Sequence, residues 1–218
     1  AIVGITYKKE GNAAAVLKGF DLVGKNFGDF IRSVSKLTKH TQVMLYCWRG
    51  GMRSNIMAWV LSTAGFKTTL FKSGYKFYRR WVSETLNTEK NIIVVGGKTG
   101  SGKTEVLKHL RESGEQVICL ETLAHHKGSA FGGLGQLPQP RNEMFENLLA
   151  MEWSKADTEK ILWLENESHI IGSVMLPVKI FQRIRTAPII EININQGRRM
   201  ERILSEYGKF PIKDLADR

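Results

Sequence analysis

The chain has 218 residues, of which 42% are hydrophobic and 24% are charged, the composition of an ordinary globular protein. No run of about 18 apolar residues predicts a membrane span, and the first residues lack the basic and apolar segments of a signal peptide, so we expect a cytoplasmic protein. Two cysteines exclude a disulfide framework, and no Cys/His cluster has the spacing of a zinc site. The adjacent His125 and His126 point in different directions and make a poor metal pair.

The positive charge of the chain is concentrated in its first part. The net charge is +11 overall, and residues 1–90 contribute 15 basic and 5 acidic residues, which gives +10. Residues 91–218 contribute 17 and 16, which gives +1. A concentrated basic excess favours a polyanionic partner such as nucleic acid, because lysine and arginine neutralise phosphates.

The first half has the pattern of a parallel α/β unit. The apolar run 42–47 predicts a buried strand, and 54–65 predicts a helix, with apolar residues at helical spacing and Gly65 at its end. Residues 66–74 predict a second strand and a turn. The order strand, loop, helix, strand is typical of a parallel sheet.

A change of pattern at 86–91 predicts two domains, residues 1–88 and 89–218. Four further strands, with helices between them, predict a second parallel sheet. They are expected at 91–97, 116–121, 160–166 and 187–195. The Gly-, Pro- and Gln-rich segment 128–140 predicts a long functional loop.

The segment CWRGGMRS (47–54) predicts a reactive cysteine. It places Cys47 at the carboxyl end of a strand, where backbone N–H groups, the helix dipole and the guanidinium groups of Arg49 and Arg53 all favour thiolate over thiol. Such a thiolate can carry a second chalcogen as a persulfide or its selenium analogue. Cys119, inside an apolar strand, is expected to be a buried structural cysteine.

The loop length also permits a second chemistry. Cys47 and Arg53 have the C-x5-R spacing of cysteine phosphatases, in which the cysteine attacks phosphorus. No aspartate follows nearby as a leaving-group acid, and Tyr46 rather than histidine precedes the cysteine, which argues against this alternative.

The segment GKTGSGKT (97–104) matches the phosphate-binding P-loop and lies between a predicted strand and a predicted helix, the context that the motif requires. Its backbone N–H groups would hold phosphate oxygens, Lys103 would place a positive charge near the terminal phosphates, and Thr104 would ligate a Mg²⁺ ion if one is used. The segment ILWLENES (161–168) is a predicted strand that ends in acids, with Glu165 preferred to Glu167 for the Mg²⁺ shell. ATP, GTP or another diphosphate would fit. The predicted phosphate-binding residues are Gly97, Gly100, Gly102, Lys103, Thr104 and Glu165.

Seven segments together resemble the tRNA 2-selenouridine synthases, in which a rhodanese-like domain precedes a P-loop domain. They occur in the family's order: VGITYKKEG (3–11), CWRGGMRS (47–54), SGYKFYRRW (73–81), GKTGSGKT (97–104), LETLAHHKGSAFG (120–132), FENLL (145–149) and LWLENESHIIGSVMLP (162–177). The chain departs from the family at Ser73, where a glycine is expected. The family's first domain also begins with a strand and a helix that this chain lacks, and its last region continues beyond Arg218.

The resemblance implies a reaction and its co-substrates. The family replaces sulfur by selenium in wobble 2-thiouridine of tRNA, with selenophosphate as the donor and a geranylated 2-thiouridine, made with geranyl diphosphate, as the intermediate. No tightly bound cofactor is implied. Cys47 matches the family's essential cysteine. The stretch from Glu121 to Phe131 would line a pocket of the second domain, where His126, Lys127 and Ser129 would contact anionic groups. As tRNA contacts we predict a basic cluster of Lys72, Lys76, Arg79 and Arg80.

Two other functions stay open from the residues alone. One is a generic rhodanese-type sulfurtransferase fused to a nucleotide-binding P-loop domain. The other is a non-enzymatic P-loop regulator that binds RNA and uses Cys47 as a redox sensor.

Overall fold

The computed structural model describes residues 2–216 of the chain. These residues form two compact units, whose division falls between Tyr78 and Arg79. The predicted domain boundary, after residue 88, follows the helix that contains this division. No helix among residues 2–216 is long and apolar enough to cross a membrane.

The first unit begins with two helices that the sequence analysis did not predict. They are α1 (Ile2–Val23) and α2 (Phe27–Leu37), joined by a 3₁₀ turn. Ala15 is the only buried residue of α1, while Ile5 and Leu17 are exposed, so no apolar stripe marks the helix. Gly11 interrupts it with φ 87°.

The strand–loop–helix–strand order predicted for the first unit is confirmed. Strand β1 (Gln42–Leu45) is followed by α3 (Met52–Thr63) and β2 (Lys67–Leu70), and the two strands pair in parallel. The prediction that the first strand is buried is wrong, because this sheet has two strands and alternate residues of β1 face outward. Helix α4 (Gly74–Leu86) follows.

The second unit contains a four-stranded, fully parallel sheet. Its strands are β3 (Asn91–Gly96), β4 (Gln116–Ile118), β5 (Ile161–Glu165) and β8 (Ile189–Glu191), in the spatial order β4-β5-β3-β8. Later strands flank β3 on both sides, so the crevice at its carboxyl end is the switch point where open parallel sheets bind ligands. A short antiparallel hairpin comprises β6 (Ile170–Ile171) and β7 (Val174–Met175).

The helices of the second unit lie between its strands in the chain or follow the last of them. They are α5 (Lys103–Glu112), α6 (Leu120–Ala124), α7 (Asn142–Lys155), α8 (Val178–Thr186), α9 (Gln196–Tyr207) and α10 (Ile212–Ala216). The core lies between sheet and helices, where Val94, Leu164 and Trp153 are fully buried. The predicted strand 116–121 ends at Ile118, since α6 begins at Leu120. The predicted loop 128–140 contains no helix or strand.

Candidate functional site

Cys47 lies two residues beyond the end of β1, in the loop that leads into α3. The backbone N–H of Gly51 donates a hydrogen bond to its Sγ at 3.3 Å, and the Ser54 hydroxyl lies 3.4 Å from the same sulfur. The Ser54 hydroxyl is also 3.0 Å from the carbonyl oxygen of Gly51, so one hydroxyl proton has two acceptors. Ser54 is buried within the first turn of α3, which fixes the position of its hydroxyl.

The start of α4 is hydrogen-bonded to the loop between β1 and α3, which contains Cys47 and which we call the cysteine loop. The N–H of Tyr75 donates to the carbonyl oxygen of Cys47 at 2.9 Å, and the N–H of Lys76 donates to that of Trp48 at 2.8 Å. Gly74 makes this approach possible, since its φ is 65° and a Cβ at this position would overlap the backbone of the loop. Ser73 has φ 61°, so the position where a glycine was expected does have a glycine-like conformation.

These contacts make Cys47 acidic. Burial of the sulfur raises the pKa, but hydrogen bonds from the Ser54 hydroxyl and from main-chain groups of the loop outweigh burial and lower the pKa to about 6. The group is therefore mainly a thiolate at neutral pH, as predicted. The predicted arginines, Arg49 and Arg53, are both exposed, and the loop's hydrogen bonds are the main cause of the shift.

Cys119 differs from Cys47 in its burial and in the direction of its pKa shift. It is 8% exposed, and burial together with the neighbouring Glu165 raises its pKa to about 12. Its thiol donates to a carboxylate oxygen of Glu165 at 2.6 Å. It therefore stays protonated at neutral pH, in keeping with the predicted structural role.

The P-loop borders a cavity of about 510 Å³ at the carboxyl end of β3. Lys103, the first residue of α5, folds back so that its Nζ donates to the carbonyl oxygen of Gly97 at 3.2 Å. Gly100 and Gly102 both have positive φ, and a side chain at Gly102 would overlap the guanidinium of Arg202. The predicted phosphate cradle is thus open to the cavity, with N–H groups of the loop at the amino end of α5.

Two buried carboxylates lie beside the cradle. Thr104 donates to Glu121 at 3.4 Å, and Glu121 shares a hydrogen bond with Glu167. Burial and repulsion from neighbouring carboxylates raise the pKa of Glu167 to about 8, while Lys103 opposes the shift. Burial likewise raises the pKa of Glu121. At neutral pH the pair therefore retains a proton between its two carboxylates.

The preferred acid, Glu165, has a different position. It is fully buried, and its two oxygens accept hydrogen bonds from the thiol of Cys119 and, at 2.7 Å, from the N–H of Leu120. It ties the end of β5 to the start of α6. Lys103 instead acts electrostatically on Glu121 and Glu167.

The residues suited to a Mg²⁺ ion are therefore Thr104, Glu121 and Glu167. Among residues 2–216, no group of three or more His, Cys, Asp or Glu side chains is arranged to hold a metal ion. A Mg²⁺ ion at Thr104 would accordingly need phosphate oxygens of a bound ligand to complete its shell.

The predicted pocket residues divide into two pairs. Glu121 and Lys127 line the cavity, and Lys127 forms an ion pair with Glu206. Ser129 does not line the cavity, but its hydroxyl lies 3.0 Å from that of Tyr207, which does. His126 turns away and accepts a hydrogen bond from the N–H of Gly128 at 3.2 Å.

The sequence analysis missed helix α9, which covers the P-loop. Arg202 lines the cavity and forms an ion pair with Glu105 at 2.9 Å, and Arg199 donates to the carbonyl oxygen of Thr99 at 3.0 Å. In the sequence this helix is marked by a cluster of three arginines at 198–202, but no motif connects that cluster to the P-loop.

The predicted tRNA-contact residues differ in their exposure and in their ion pairs. Lys72 and Lys76 are exposed in the first unit. Arg79 is largely covered and forms an ion pair with Glu146, with a further hydrogen bond of 2.6 Å to Asn147. Arg80 is exposed and pairs with Glu84. Arg79 is therefore engaged within the second unit, and the tRNA contact stays a prediction for the other three.

Comparison with known proteins identifies a matching family model and several similar proteins. Residues 90–217 match the model of the tRNA 2-selenouridine synthase AAA domain. The tRNA 2-selenouridine synthases of Nitrosomonas eutropha and Sulfurovum sp. are 36% and 39% identical, over 95% and 94% of this chain but 55% and 57% of their own lengths. A solved structure, the N-terminal domain of an ATP/GTP binding protein from Clostridium difficile 630, is 37% identical over 37% of this chain and 63% of its own, with a TM-score of 0.35.

The chain thus spans about half the length of the curated relatives that it matches. The family model itself covers more than half of the chain, from β3 and the P-loop through α10. The chain belongs to the tRNA 2-selenouridine synthase family.

Proposed function

We propose that the protein of which this chain is part replaces sulfur by selenium in wobble 2-thiouridine of tRNA. The Cys47 loop would belong to a rhodanese-like domain that handles selenium, and the P-loop cavity would activate the nucleoside. The observation that carries the proposal is the thiolate at Cys47, with a pKa of about 6, on the same chain as an open phosphate cradle. The names of the relatives support the same reaction.

The cavity suits a diphosphate ester as the ligand. Four cationic side chains line it, those of Lys103, Lys108, Lys127 and Arg202, and the P-loop N–H groups provide neutral donors. With geranyl diphosphate, the 2-thio sulfur forms a bond to the geranyl carbon while the carbon–oxygen bond to pyrophosphate breaks. The departing pyrophosphate gains negative charge, and the lysine and arginine groups stabilise it.

Selenium would enter in the second step. S-alkylation converts the 2-thio group into a thioether, which leaves from C2 as geranylthiol when a selenium nucleophile adds there. Selenophosphate would supply selenium at the selenide level. Its selenium forms the bond to C2, and water then cleaves the selenium–phosphorus bond and releases phosphate, so the exchange needs no oxidant. We place Cys47 in this step because its sulfur is a partly exposed thiolate.

The test uses the full-length protein and tRNA that carries wobble 2-thiouridine. Selenophosphate is added with and without geranyl diphosphate, and the nucleoside is identified by mass spectrometry. Selenouridine from the wild type but not from Cys47→Ala is expected, with geranylated nucleoside accumulating in the variant. Cys119→Ala is the matched control, since that thiol is buried and donates to Glu165.

Two results would contradict the proposal. Unchanged tRNA under every condition refutes it, and thiosulfate:cyanide sulfurtransfer without tRNA would then support the generic sulfurtransferase. ATP hydrolysis coupled to turnover, with no effect of geranyl diphosphate, would refute the assignment of the cavity to that diphosphate.

A further inference from the structure

Four aromatic rings lie side by side at the cysteine loop. Tyr46 and Trp48 flank Cys47 in the chain, and Tyr75 and Tyr78 come from the first turns of α4. The ring centroid of Tyr75 is 5.9 Å from that of Tyr46, 5.8 Å from that of Trp48 and 5.8 Å from that of Tyr78. We call these four residues the aromatic platform.

The outer rings of the aromatic platform face away from the core of their unit. Tyr46 is 62% exposed and Trp48 is 48% exposed. Phe77 and Met52, which lie near them in the chain, are about half exposed as well. Contiguous exposed apolar side chains next to a reactive group are typical of a binding surface, because core packing gives no reason to cluster them outside.

The segment of chain that contains the aromatic platform carries only positive charge. Residues 30–78 contain eight lysine and arginine residues and no aspartate or glutamate. Arg49 lies in the cysteine loop and Arg53 in the first turn of α3, and the backbone N–H of Lys76 donates to the carbonyl oxygen of Trp48. Exposed rings within a purely basic segment match single-stranded nucleic acid, whose bases stack while its phosphates need cations. An apolar partner alone would leave the charge unexplained.

We propose that the aromatic platform stacks an unpaired RNA base beside the sulfur of Cys47. Trp48 and Tyr75 provide the faces for stacking, and Lys72 and Lys76 contact the neighbouring phosphates. The inference rests on the proposed function, which makes RNA the substrate, and it adds the surface that presents the base to the thiolate. Stacking is tolerant of base identity, so the aromatic platform positions the nucleoside rather than selecting it.

The experiment measures binding and not turnover. The full-length protein is titrated against a fluorescent RNA hairpin with the sequence of a tRNA anticodon arm, at several salt concentrations. Trp48→Ala should raise the Kd about 5-fold to 150-fold, the effect of losing one stacked base, and leave the salt dependence unchanged. Lys76→Ala should reduce the slope of log K against log salt by about 0.7.

The chain offers matched controls for this test. Trp59 is an exposed tryptophan of the same unit, 65% exposed on α3 and outside the aromatic platform, so Trp59→Ala should leave the Kd unchanged. Trp48→Phe retains a ring and should recover most of the affinity. An unchanged melting temperature in each variant shows that folding is intact, and Tyr75→Ala gives an independent check.

The outcomes separate this inference from the proposed function. An unchanged Kd in both Trp48→Ala and Tyr75→Ala, while the wild type binds RNA and makes selenouridine, refutes the aromatic platform alone. Weaker binding of geranyl diphosphate, with RNA binding intact, would assign the aromatic platform to the prenyl chain and refute the inference. A wild type that binds no RNA contradicts both proposals.

Discussion

Ser54→Ala tests the origin of the acidic thiol. The substitution removes the hydroxyl that lies 3.4 Å from the sulfur of Cys47. A hydrogen bond to a charged group contributes roughly 1.5–3 kcal/mol, which corresponds to about 1–2 pKa units. The pKa should therefore rise from about 6 to roughly 7–8. At pH 7 the thiolate fraction would fall from about nine tenths to between about a half and a tenth.

The variant should stay folded. Alanine is a better helix former than serine, and the carbonyl oxygen of Gly51 that Ser54 contacts also accepts the N–H of Asn55 at 3.2 Å. No buried acceptor is thus left without a partner. A change in thiol chemistry then reports on the sulfur and not on lost structure.

The assay is the rate of iodoacetamide alkylation as a function of pH. Cys119 does not interfere, because it is buried and its pKa is about 12. Ser62→Ala is the control, since Ser62 lies on the same helix but bonds to Thr68 at 2.8 Å instead. A midpoint that stays near 6 in Ser54→Ala would refute the assignment of the shift to this hydroxyl.

Three further predictions follow from the two sites. Gly74→Ala should abolish the rapid alkylation of Cys47, because a Cβ at residue 74 would overlap the backbone of the cysteine loop. Arg202→Ala should weaken pyrophosphate binding about tenfold in calorimetry, since one charge-assisted contact is lost. Glu167 has its pKa raised from 4.5 to about 8 by burial, so the unfolded chain releases the proton first and the free energy of unfolding falls as pH rises between these values. Glu167→Gln should flatten that dependence in urea unfolding.

Each of these predictions has a control and a contrary result. Gly65 has φ 93°, but no neighbouring atom lies where a Cβ would be, so Gly65→Ala should strain a turn and leave the alkylation of Cys47 fast. Fast alkylation in Gly74→Ala would show that the loop can move aside. Arg198→Ala removes an exposed arginine of α9 that does not line the cavity, and an equal loss of affinity in both variants would mean that only net charge matters. An unchanged pH dependence in Glu167→Gln would assign the proton to Glu121.

The sequence predicted what is encoded locally. The cysteine loop and the P-loop are short segments whose glycines, charges and flanking apolar runs define their conformation, and both are found where they were expected. The choice between Glu165 and Glu167 could not be made in this way. It depends on where β5 ends and on the N–H of Leu120, which lies 45 positions from Glu165 in the chain and donates to it only in the folded unit.

Helix α9 shows the same limit more clearly. Its sequence is polar and rich in arginine, so it predicts an exposed segment and gives no sign of its target. Only the folded sheet brings Arg202 to Gly102, across 100 residues of chain. Charged side chains that complete a site from a distant helix have no local pattern of their own.

The cysteine loop is built by backbone against backbone. Gly50 and Gly74 meet without side chains between them, and the carbonyl oxygens of Cys47 and Trp48 are held by N–H groups. The framework that acidifies the sulfur is consequently separate from the outward side chains that would touch a substrate. A designer can therefore exchange Trp48, Arg49 or Arg53 to change what the loop recognises and keep its nucleophile, provided that the two glycines and Ser54 are retained.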